Sequence, residues 1–430
     1  MRAHAPCFTR RIALAWLTIL LLAAMPWSTT SAQAAAEPSC DDDEQIPLGR
    51  RLRIHSKLLG EDREILVHLP AGYDQSRQRY PVLYLLDGNA HFEYASGIVD
   101  FLARNDRVPA LILVAIPNME RRWRDLTMPL VKDEAAIREI ASSGLEVGGA
   151  RTFLDFIADE LMPWVDARYR TQPYRILSGH SLGGLFDVYA MLERPDVFQA
   201  HIAVSPTLSW DRRAWVDIAK QRIPSLPGRR ALYLSWSDDE VDIRDAGQSL
   251  VDWLRVHRSP DPHSHNQTLT NLIWKSRYYP GDDHGTTPLR TLYDGLEWLY
   301  ADWKPDFLDL RGQDPASLGA EIRAHYATLS QKYGYAVEPS FDTRYALTER
   351  LLEQQLDSEA LALALQNAAD HPGNPYVHRQ IAEMLDKLGR STEALVAYRR
   401  YLDLPDEYRD ASESARRRQQ LEARVGQAGR

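Results

Sequence analysis

The residue of this sequence most clearly suited to catalysis is a serine flanked by glycines. Ser181 lies in Gly179-His180-Ser181-Leu182-Gly183, and a third glycine follows at position 184. A β-prone run, Arg175-Ile176-Leu177, precedes the motif and a helix-prone run follows it. A serine at a tight strand-to-helix turn projects its hydroxyl from the edge of a sheet. The pattern therefore predicts Ser181 as a nucleophile and the backbone N–H of Leu182 as an oxyanion donor.

A serine nucleophile needs a base, and the base needs an acid to orient it. Where the serine occupies such a turn, the acid and then the histidine follow it along the chain, each after a later strand. The apolar run 232–234 leads to Asp239 and Glu240, and we predict Glu240 as the acid, with Asp239 as second choice. The run 272–279 leads to His284, the predicted base. A dyad without an acid, or another carboxylate of the same loop, stays open.

A second oxyanion donor is expected after an earlier strand, in Leu86-Asp87-Gly88-Asn89. Because Gly88 allows close backbone approach, the N–H of Asn89 or of Gly88 is predicted to point into the site. The alternative is that Asp87-Gly88 forms only a tight turn.

Three further residues are candidates for substrate binding. Arg124 lies in an arginine-rich loop and could hold an acidic substrate, although its neighbour Asp125 also suits a structural ion pair. Trp210 and Trp215 follow the apolar run 202–204 and could form the wall of an acyl pocket, or belong to the core.

The surrounding elements predict an α/β fold. Residues 50–70 read as a hairpin, and six short apolar runs then alternate with helical stretches, at 81–86, 111–116, 175–177, 202–204, 232–234 and 272–274. Such near-continuous β-prone runs are typical of a mostly parallel twisted sheet covered by helices on both faces. The pattern predicts one α/β domain over about 45–305.

The segment 317–430 is predicted to form a separate helical domain. Glu359-Ala360-Leu361 recurs 34 positions later as Glu393-Ala394-Leu395, which is typical of a tetratricopeptide-like repeat. Two copies are fewer than a self-supporting stack needs. We therefore expect flanking helices over 318–333 and 411–425 to cap the repeats, or the stack to dock on the α/β domain. A generic helical bundle is the alternative.

Composition narrows the class of protein. The 430 residues are 44% hydrophobic and 26% charged, which excludes a disordered, collagen-like or multi-span membrane protein. A formal charge of −9 gives no electrostatic reason to expect nucleic acid as a partner. The only two cysteines, Cys7 and Cys40, exclude a disulfide scaffold.

The first 36 residues are predicted to be a cleaved signal peptide. Arg2, Arg10 and Arg11 precede the apolar run 12–25 and the small-residue segment Ala32-Gln33-Ala34. The run is shorter than the roughly 20 residues that span a bilayer, which disfavours an uncleaved anchor. The mature protein is thus expected in the periplasm or outside the cell, with no stable membrane insertion.

Together these motifs resemble the esterase-D-like, or "putative esterase", branch of the α/β-hydrolases, which includes enterochelin-type siderophore esterases and feruloyl esterases. The resemblance covers about residues 45–303 and rests on 84–88, 116–118, 124–127, 179–184, 205–206, 210–211 and 284–286. It implies an α/β-hydrolase fold and a serine carboxylester hydrolase that forms an acyl-serine, with no metal and no organic cofactor. Members with a tetratricopeptide-like tail also exist. Ser237 departs from the family, which more often has glycine before the acid, so the identity of the acid is less secure.

The sequence does not identify the ester. A siderophore trilactone esterase and an acyltransferase would use the same residues, and a non-catalytic binding scaffold is a further alternative. The expected ligand is a small-molecule ester, and the helical tail could dimerise or bind a protein partner.

Overall fold

The computed structural model describes residues 48–238, 241–257, 269, 271–304, 315–405 and 411–428. The signal peptide predicted over 1–36 lies outside these residues. So do both predicted acids, Asp239 and Glu240.

The architecture is built on one eight-stranded sheet with the order β1-β2-β4-β3-β5-β6-β7-β8. Strands β3 to β8 are parallel to one another, whereas β2 runs antiparallel to β1 and β4. Each predicted run is a strand, and the predicted mostly parallel sheet is confirmed. The strands are β1 (Arg50–Ser56), β2 (Glu61–His68), β3 (Tyr80–Leu86), β4 (Ile112–Ile116), β5 (Thr171–His180), β6 (Ala200–Val204), β7 (Arg230–Ser237) and β8 (Leu272–Tyr279).

Strand β3 explains why both faces of the sheet must be covered. All seven of its residues are buried. Because side chains alternate across a strand, Tyr84 and Leu86 join the core on one face, whereas Leu83 and Leu85 join the core on the other. A strand that is apolar on both sides is stable only between two layers of helices.

The helices that connect the strands along the chain cover both faces of the sheet. The first core contains residues of α4 to α8, and the second contains residues of α1 and α9. Among the described residues, no helix combines the length and apolarity needed to cross a membrane. The helices are α1 (Gly88–Arg104), α2 (Arg122–Leu126), α3 (Glu134–Ser143), α4 (Ala150–Asp155), which continues through a π-helical segment (Phe156–Leu161) into α5 (Met162–Arg168), α6 (Leu182–Glu193), α7 (Trp210–Arg222), α8 (Val241–His257) and α9 (Thr287–Leu299).

The C-terminal region is all-helical. Helices α11 and α12 recur as α13 and α14, each beginning 34 residues later, and Ala360 and Ala394 are fully buried at equivalent positions. Small residues at these positions allow close helix packing. The six helices are α10 (Pro315–Tyr333), α11 (Phe341–Glu353), α12 (Asp357–Asp370), α13 (Pro375–Lys387), α14 (Ser391–Asp403) and α15 (Ala411–Ala428).

The helical region docks on the α/β region through aromatic side chains. The ring of Tyr333 lies 5.1 Å from the ring of Tyr174, which is near the start of β5. It also lies 5.1 Å from the ring of Tyr300, which follows α9. Its hydroxyl donates a hydrogen bond of 3.1 Å to the carbonyl of Leu299. The helical region thus shares the second core, that of α1 and α9. Docking was one of the two expectations from the sequence.

We predict that Tyr333→Ala lowers the free energy of unfolding by about 3–5 kcal/mol, because it empties a buried aromatic site between the two regions. Urea unfolding followed by fluorescence measures this change. The control is Leu365→Ala on α12, whose side chain is 51% exposed and should cost less than about 0.5 kcal/mol. A loss below about 1 kcal/mol for Tyr333→Ala would contradict the docking role.

Candidate active site

Ser181 occupies a strained turn between β5 and α6. Its backbone has φ 61° and ψ −115°, in the region that non-glycine residues rarely adopt. The turn is held on both sides, since Ser181 N–H donates to the carbonyl of Val204 at 2.9 Å and the Ser181 carbonyl accepts from Leu185 N–H at 3.0 Å. The predicted sharp turn is therefore present, and its strain is maintained by the neighbouring strand and helix.

Close backbone approach requires glycine at positions 179 and 184. A Cβ atom at Gly179 would collide with the backbone of Gly183 across the turn. A Cβ at Gly184 would lie 2.9 Å from Pro206 Cα and 2.9 Å from the Val204 carbonyl oxygen. Only glycine lets the strand, the helix and the β6 segment approach so closely.

Two helix N-termini meet at the same edge of the sheet as Ser181. Helix α6 begins at Leu182 and α1 begins at Gly88, while their strands β5 and β3 are parallel neighbours with Leu85 opposite Ser178. Gly88 and Ser181 each follow three residues after that pair. The first N–H groups of a helix have no partner within the helix, so this edge is suited to bind an anion.

Gly88 is the first residue of a helix rather than part of an isolated turn. A Cβ there would lie 2.9 Å from Ala115 Cβ on β4, so the position needs glycine. The side chain of Asn89 donates to Met119 Sδ at 3.4 Å, which turns it toward the loop after β4. The assignment of Leu182, Gly88 and Asn89 N–H groups to the oxyanion stays a prediction.

His284 lies close to the serine turn although 103 residues separate His284 from Ser181 in the sequence. It belongs to the loop between β8 and α9, and its ring centroid is 4.4 Å from that of His180, the residue before Ser181. Parallel strands bring this loop to the same carboxyl edge as the end of β5. The structure thus places His284, the predicted base, next to His180, which directly precedes the predicted nucleophile Ser181.

The loop that carries the predicted acids is tied to the loop that carries His284. Asp238 accepts a hydrogen bond of 3.0 Å from Gly281 N–H and one from the Tyr278 hydroxyl, and its own N–H donates to the Asp282 carbonyl at 3.0 Å. Asp238 therefore holds the two loops together. The choice between Glu240 and Asp239 as the acid stays a prediction.

Sequence reasoning missed Thr207, which contacts the nucleophile directly. Its hydroxyl lies 3.3 Å from Ser181 Oγ, and its N–H donates to the Ser181 carbonyl at 3.1 Å. Thr207 follows Ser205-Pro206, a stretch on which the family resemblance rested. That adjacency was the only signal in the sequence for its role.

The arginine-rich loop was considered for substrate binding, but sequence reasoning missed that Arg122 links the two helix N-termini. Its Nε donates to both carboxylate oxygens of Asp87 at 3.0 Å, and its Nη2 donates to the His180 carbonyl at 3.1 Å. Burial raises the pKa of Asp87, and the charge and hydrogen bonds of Arg122 oppose this rise. The Asp87 N–H in turn donates to Asn118 Oδ1 at 3.1 Å. Arg122 therefore connects the residue before α1 to the residue before Ser181.

Arg124, a predicted substrate-binding residue, has its guanidinium engaged within the protein. Its Nε and Nη2 donate to Asp125 Oδ1 at 2.9 and 2.8 Å, and its Nη1 donates to Glu61 at 3.0 Å. Arg63 adds a hydrogen bond of 2.6 Å to Asp125. Hydrogen bonds from Arg124 and Arg63 lower the pKa of Glu61 to about 2, against the opposing effect of burial. These contacts favour the structural role that the sequence left open, and substrate contact stays a prediction.

The two predicted tryptophans differ in environment. Trp215 is 9% exposed and its ring packs edge-on against Tyr189 of α6 at 5.1 Å, which places it in the core. Trp210 is only partly buried, donates from its Nε1 to the Met128 carbonyl at 3.1 Å, and lies 6.1 Å from the ring of Trp123. Trp123 is 42% exposed. An aromatic pair, Trp123 and Trp210, thus borders the segment that carries Thr207.

The segment that carries Trp210 is itself strained. Asp211, Arg212 and Arg213 have φ values of 51°, 55° and 64°. The Asp211 carboxylate accepts N–H hydrogen bonds from Lys132 at 2.6 Å and Asp133 at 2.9 Å, which joins this turn to the loop before α3. Within the described ranges, no cluster of three or more histidine, cysteine or acidic side chains could hold a metal ion.

We predict that Arg124→Gln lowers stability at neutral pH and that this loss shrinks in acid. Because the folded-state pKa of Glu61 is depressed to about 2 from 4.5, the stabilisation is present above about pH 4.5 and is lost as pH falls towards 2. Urea midpoints between pH 7 and 3 measure it. The control is Arg51→Gln, which removes an exposed pair with Glu64 and should change stability by less than about 1 kcal/mol. A difference between wild type and Arg124→Gln that is constant with pH would contradict this prediction.

Comparison with known proteins identifies the family. The family model described as "Putative esterase" matches residues 56–270, half of the chain. The ferri-bacillibactin esterase BesA of Bacillus subtilis is 36% identical over 143 residues, which are 31% of this chain and 50% of that relative's length. The siderophore enterobactin esterase of Emericella nidulans is 32% identical over 256 residues, covering 53% of this chain and 84% of that protein.

A solved structure extends the similarity to the fold. The IroE-like serine hydrolase from Shewanella oneidensis superposes with a TM-score of 0.62 at 27% identity, covering 75% of this chain and 99% of its own. This match confirms the predicted fold class, and the family model confirms the resemblance seen in the sequence. The chain belongs to the "putative esterase" family of α/β-hydrolases and is a hydrolase that acts on esters.

Proposed function

We propose that this esterase works through an acyl-serine formed on Ser181, with His284 as the base. The observation that carries the proposal is the convergence of three features at one sheet edge: the strained serine turn, two helix N-termini and the His284 loop. A hydroxyl, a neighbouring imidazole and unpartnered backbone N–H groups are what acyl transfer from an ester requires.

In the proposed reaction, His284 removes the hydroxyl proton as Ser181 Oγ attacks the ester carbonyl carbon. The N–H groups of Leu182 and of Asn89 or Gly88 stabilise the negative oxygen. His284 then donates the proton to the leaving alcohol as the C–O bond breaks, which leaves the acyl-serine. Water, deprotonated by His284, attacks this acyl group and releases the acid, and the proton returns to Ser181. Glu240, or Asp239, orients His284 in this scheme.

We propose a siderophore ester as the substrate class. Support comes from the relatives, two of which are named as esterases of ferri-bacillibactin and of enterobactin. The partly exposed Trp123–Trp210 pair near Thr207 adds an apolar, aromatic surface on which a planar acyl group can stack. Chromatography of a catecholate trilactone before and after incubation tests this, since ring opening yields linear fragments. An unchanged trilactone, with a short ester still cleaved, would contradict the substrate class alone.

We propose that the protein acts after export, in the periplasm or outside the cell. The support is the arginine-led apolar segment within residues 1–36. Fractionation of cells that express the full chain, followed by mass spectrometry of the mature N-terminus, tests export. A soluble cytoplasmic protein that keeps the first 36 residues would contradict it.

We predict that Ser181→Ala lowers the hydrolysis of a short p-nitrophenyl ester by roughly three orders of magnitude or more, as in other serine triads. The control is Ser225→Ala, an exposed serine after α7 that should leave turnover unchanged. A serine-directed phosphonate should label wild type at Ser181. Turnover retained by Ser181→Ala would show that Ser181 is not the nucleophile. A wild-type protein that the phosphonate does not label would favour the non-catalytic binding scaffold. Ester products with an added alcohol would indicate acyl transfer.

We predict that Arg122→Ala lowers kcat by about 10- to 100-fold, because Asp87 and the His180 carbonyl lose the group that positions both helix N-termini. Steady-state kinetics on the same ester measure this. The control is Arg121→Ala on the adjacent residue, whose side chain is 49% exposed and meets Glu61 and Glu146 only at 3.7 and 3.6 Å. Equal kcat for the two variants would show that Arg122 does not position the site.

A further inference from the structure

Three imidazoles contact one another next to the serine turn. The ring of His180 is 4.4 Å from that of His284 and 5.7 Å from that of His91 in the first turn of α1. His180 precedes Ser181, so its side chain leaves the sheet at the start of the strained turn. The Nε2 atom of His180 is buried and has no hydrogen-bond partner.

The surroundings of His180 keep its ring neutral. Burial lowers the pKa of His180 to about 3, and the positive charges that His284, His91 and Arg122 can carry act in the same direction. A hydrogen bond to the backbone of His284 acts in the opposite direction. Burial likewise lowers the pKa of His91 to about 4, with a contribution from the Arg122 charge. His180 therefore contacts the predicted base as a neutral ring.

The loop that carries His284 is shaped by glycines and by hydrogen bonds. It contains two glycines, Gly281 with φ 82° and Gly285, and its described anchors lie to either side of the histidine. Asp238 holds Gly281, and the Asp283 carboxylate accepts hydrogen bonds from Gly285 N–H at 3.0 Å and Thr286 N–H at 2.9 Å. These bonds shape the loop but do not connect it to the serine turn.

His180 supplies that connection, since its backbone is part of the turn and its ring contacts the loop. Its own carbonyl is held by Arg122 at 3.1 Å, so the residue cannot shift without moving Asp87 as well. A displacement of about 1 Å between a nucleophile and its base can cost about 100-fold in rate. The distance between Ser181 and His284 therefore depends on His180.

We propose that His180 is a positioning residue, which holds the His284 imidazole and backbone against the serine turn through ring contact and a hydrogen bond. This inference rests on the proposed function. His180 does not exchange a proton in the reaction. Its contribution is a fixed separation between the base and the nucleophile.

Three variants separate packing from hydrogen bonding. His180→Ala removes both the ring and the hydrogen bond, and should lower kcat on a short p-nitrophenyl ester by about 10- to 100-fold while KM changes little. His180→Phe keeps a ring but cannot donate, and should retain an intermediate kcat. His180→Gln keeps a donor and should recover activity above that of His180→Ala. It also keeps the inference testable if the alanine variant is unstable.

The matched control is His378→Gln in α13, where a ring nitrogen also bonds a backbone carbonyl, that of Pro372 at 3.1 Å, but far along the chain from the site. Its kcat should equal that of wild type. Thermal unfolding of every variant distinguishes a lost fold from a displaced base.

Wild-type kcat in all three His180 variants would overturn the inference and leave the proposed function intact. So would full activity in His180→Phe, since packing alone would then suffice, or a raised KM with an unchanged kcat. An inactive wild type that the phosphonate does not label would overturn the proposed function, and this inference with it.

Discussion

The strained backbone of Ser181 is the constraint on which the rest of the site depends. A residue with a side chain costs on the order of 1–3 kcal/mol in this conformation and adopts it only where the surroundings enforce it. Here the neighbouring strand β6 fixes the N–H of Ser181, the first turn of α6 fixes its carbonyl, and Gly179 allows β5 and α6 to meet. The geometry that exposes the hydroxyl is thus a consequence of packing between strand, turn and helix.

Buried charge organises the residues around that turn. The carboxylate of Asp87 lies beside the helix N-termini, where burial alone favours its neutral form, and the guanidinium of Arg122 compensates by direct hydrogen bonds. The same guanidinium reaches the backbone before Ser181. A second network, in which Arg63 and Arg124 surround Asp125, lies next to it through Asn118. Buried polar groups tolerate little movement, because losing a partner costs the full desolvation of the group. These networks therefore keep the site rigid.

The helical region is a continuation of the enzyme's core rather than a loosely tethered addition. Tyr333 packs against both Tyr174 and Tyr300, and the Arg77 N–H donates to the Asp370 carbonyl at 2.9 Å. Tyr174 lies near the start of β5, and Ser181 directly follows the end of that strand. The tail thus supports the strand that carries the nucleophile from the opposite edge of the sheet.

The sequence by itself determined the elements and their local chemistry. Strands β3 to β8 could be predicted because continuous apolar runs bounded by polar residues are typical of buried parallel strands, and β1 and β2 because residues 50–70 read as a hairpin. The serine turn could be predicted because its glycines are typical of a tight strand-to-helix turn. The position of His284 at the same sheet edge could be predicted because the residue follows the last strand. Both are properties of short segments.

Only the tertiary structure decided which side chains meet at those segments. Arg122 lies 35 residues from Asp87 and 58 from His180, and Thr207 lies 26 from Ser181. The tertiary structure also gives the two tryptophans different environments, since Trp215 packs in the core whereas Trp210 lies near the surface. No local pattern encodes such contacts, because they depend on strand order and on the direction in which each loop leaves the sheet. Burial then selects among the possible partners, since most enclosed polar groups are hydrogen-bonded.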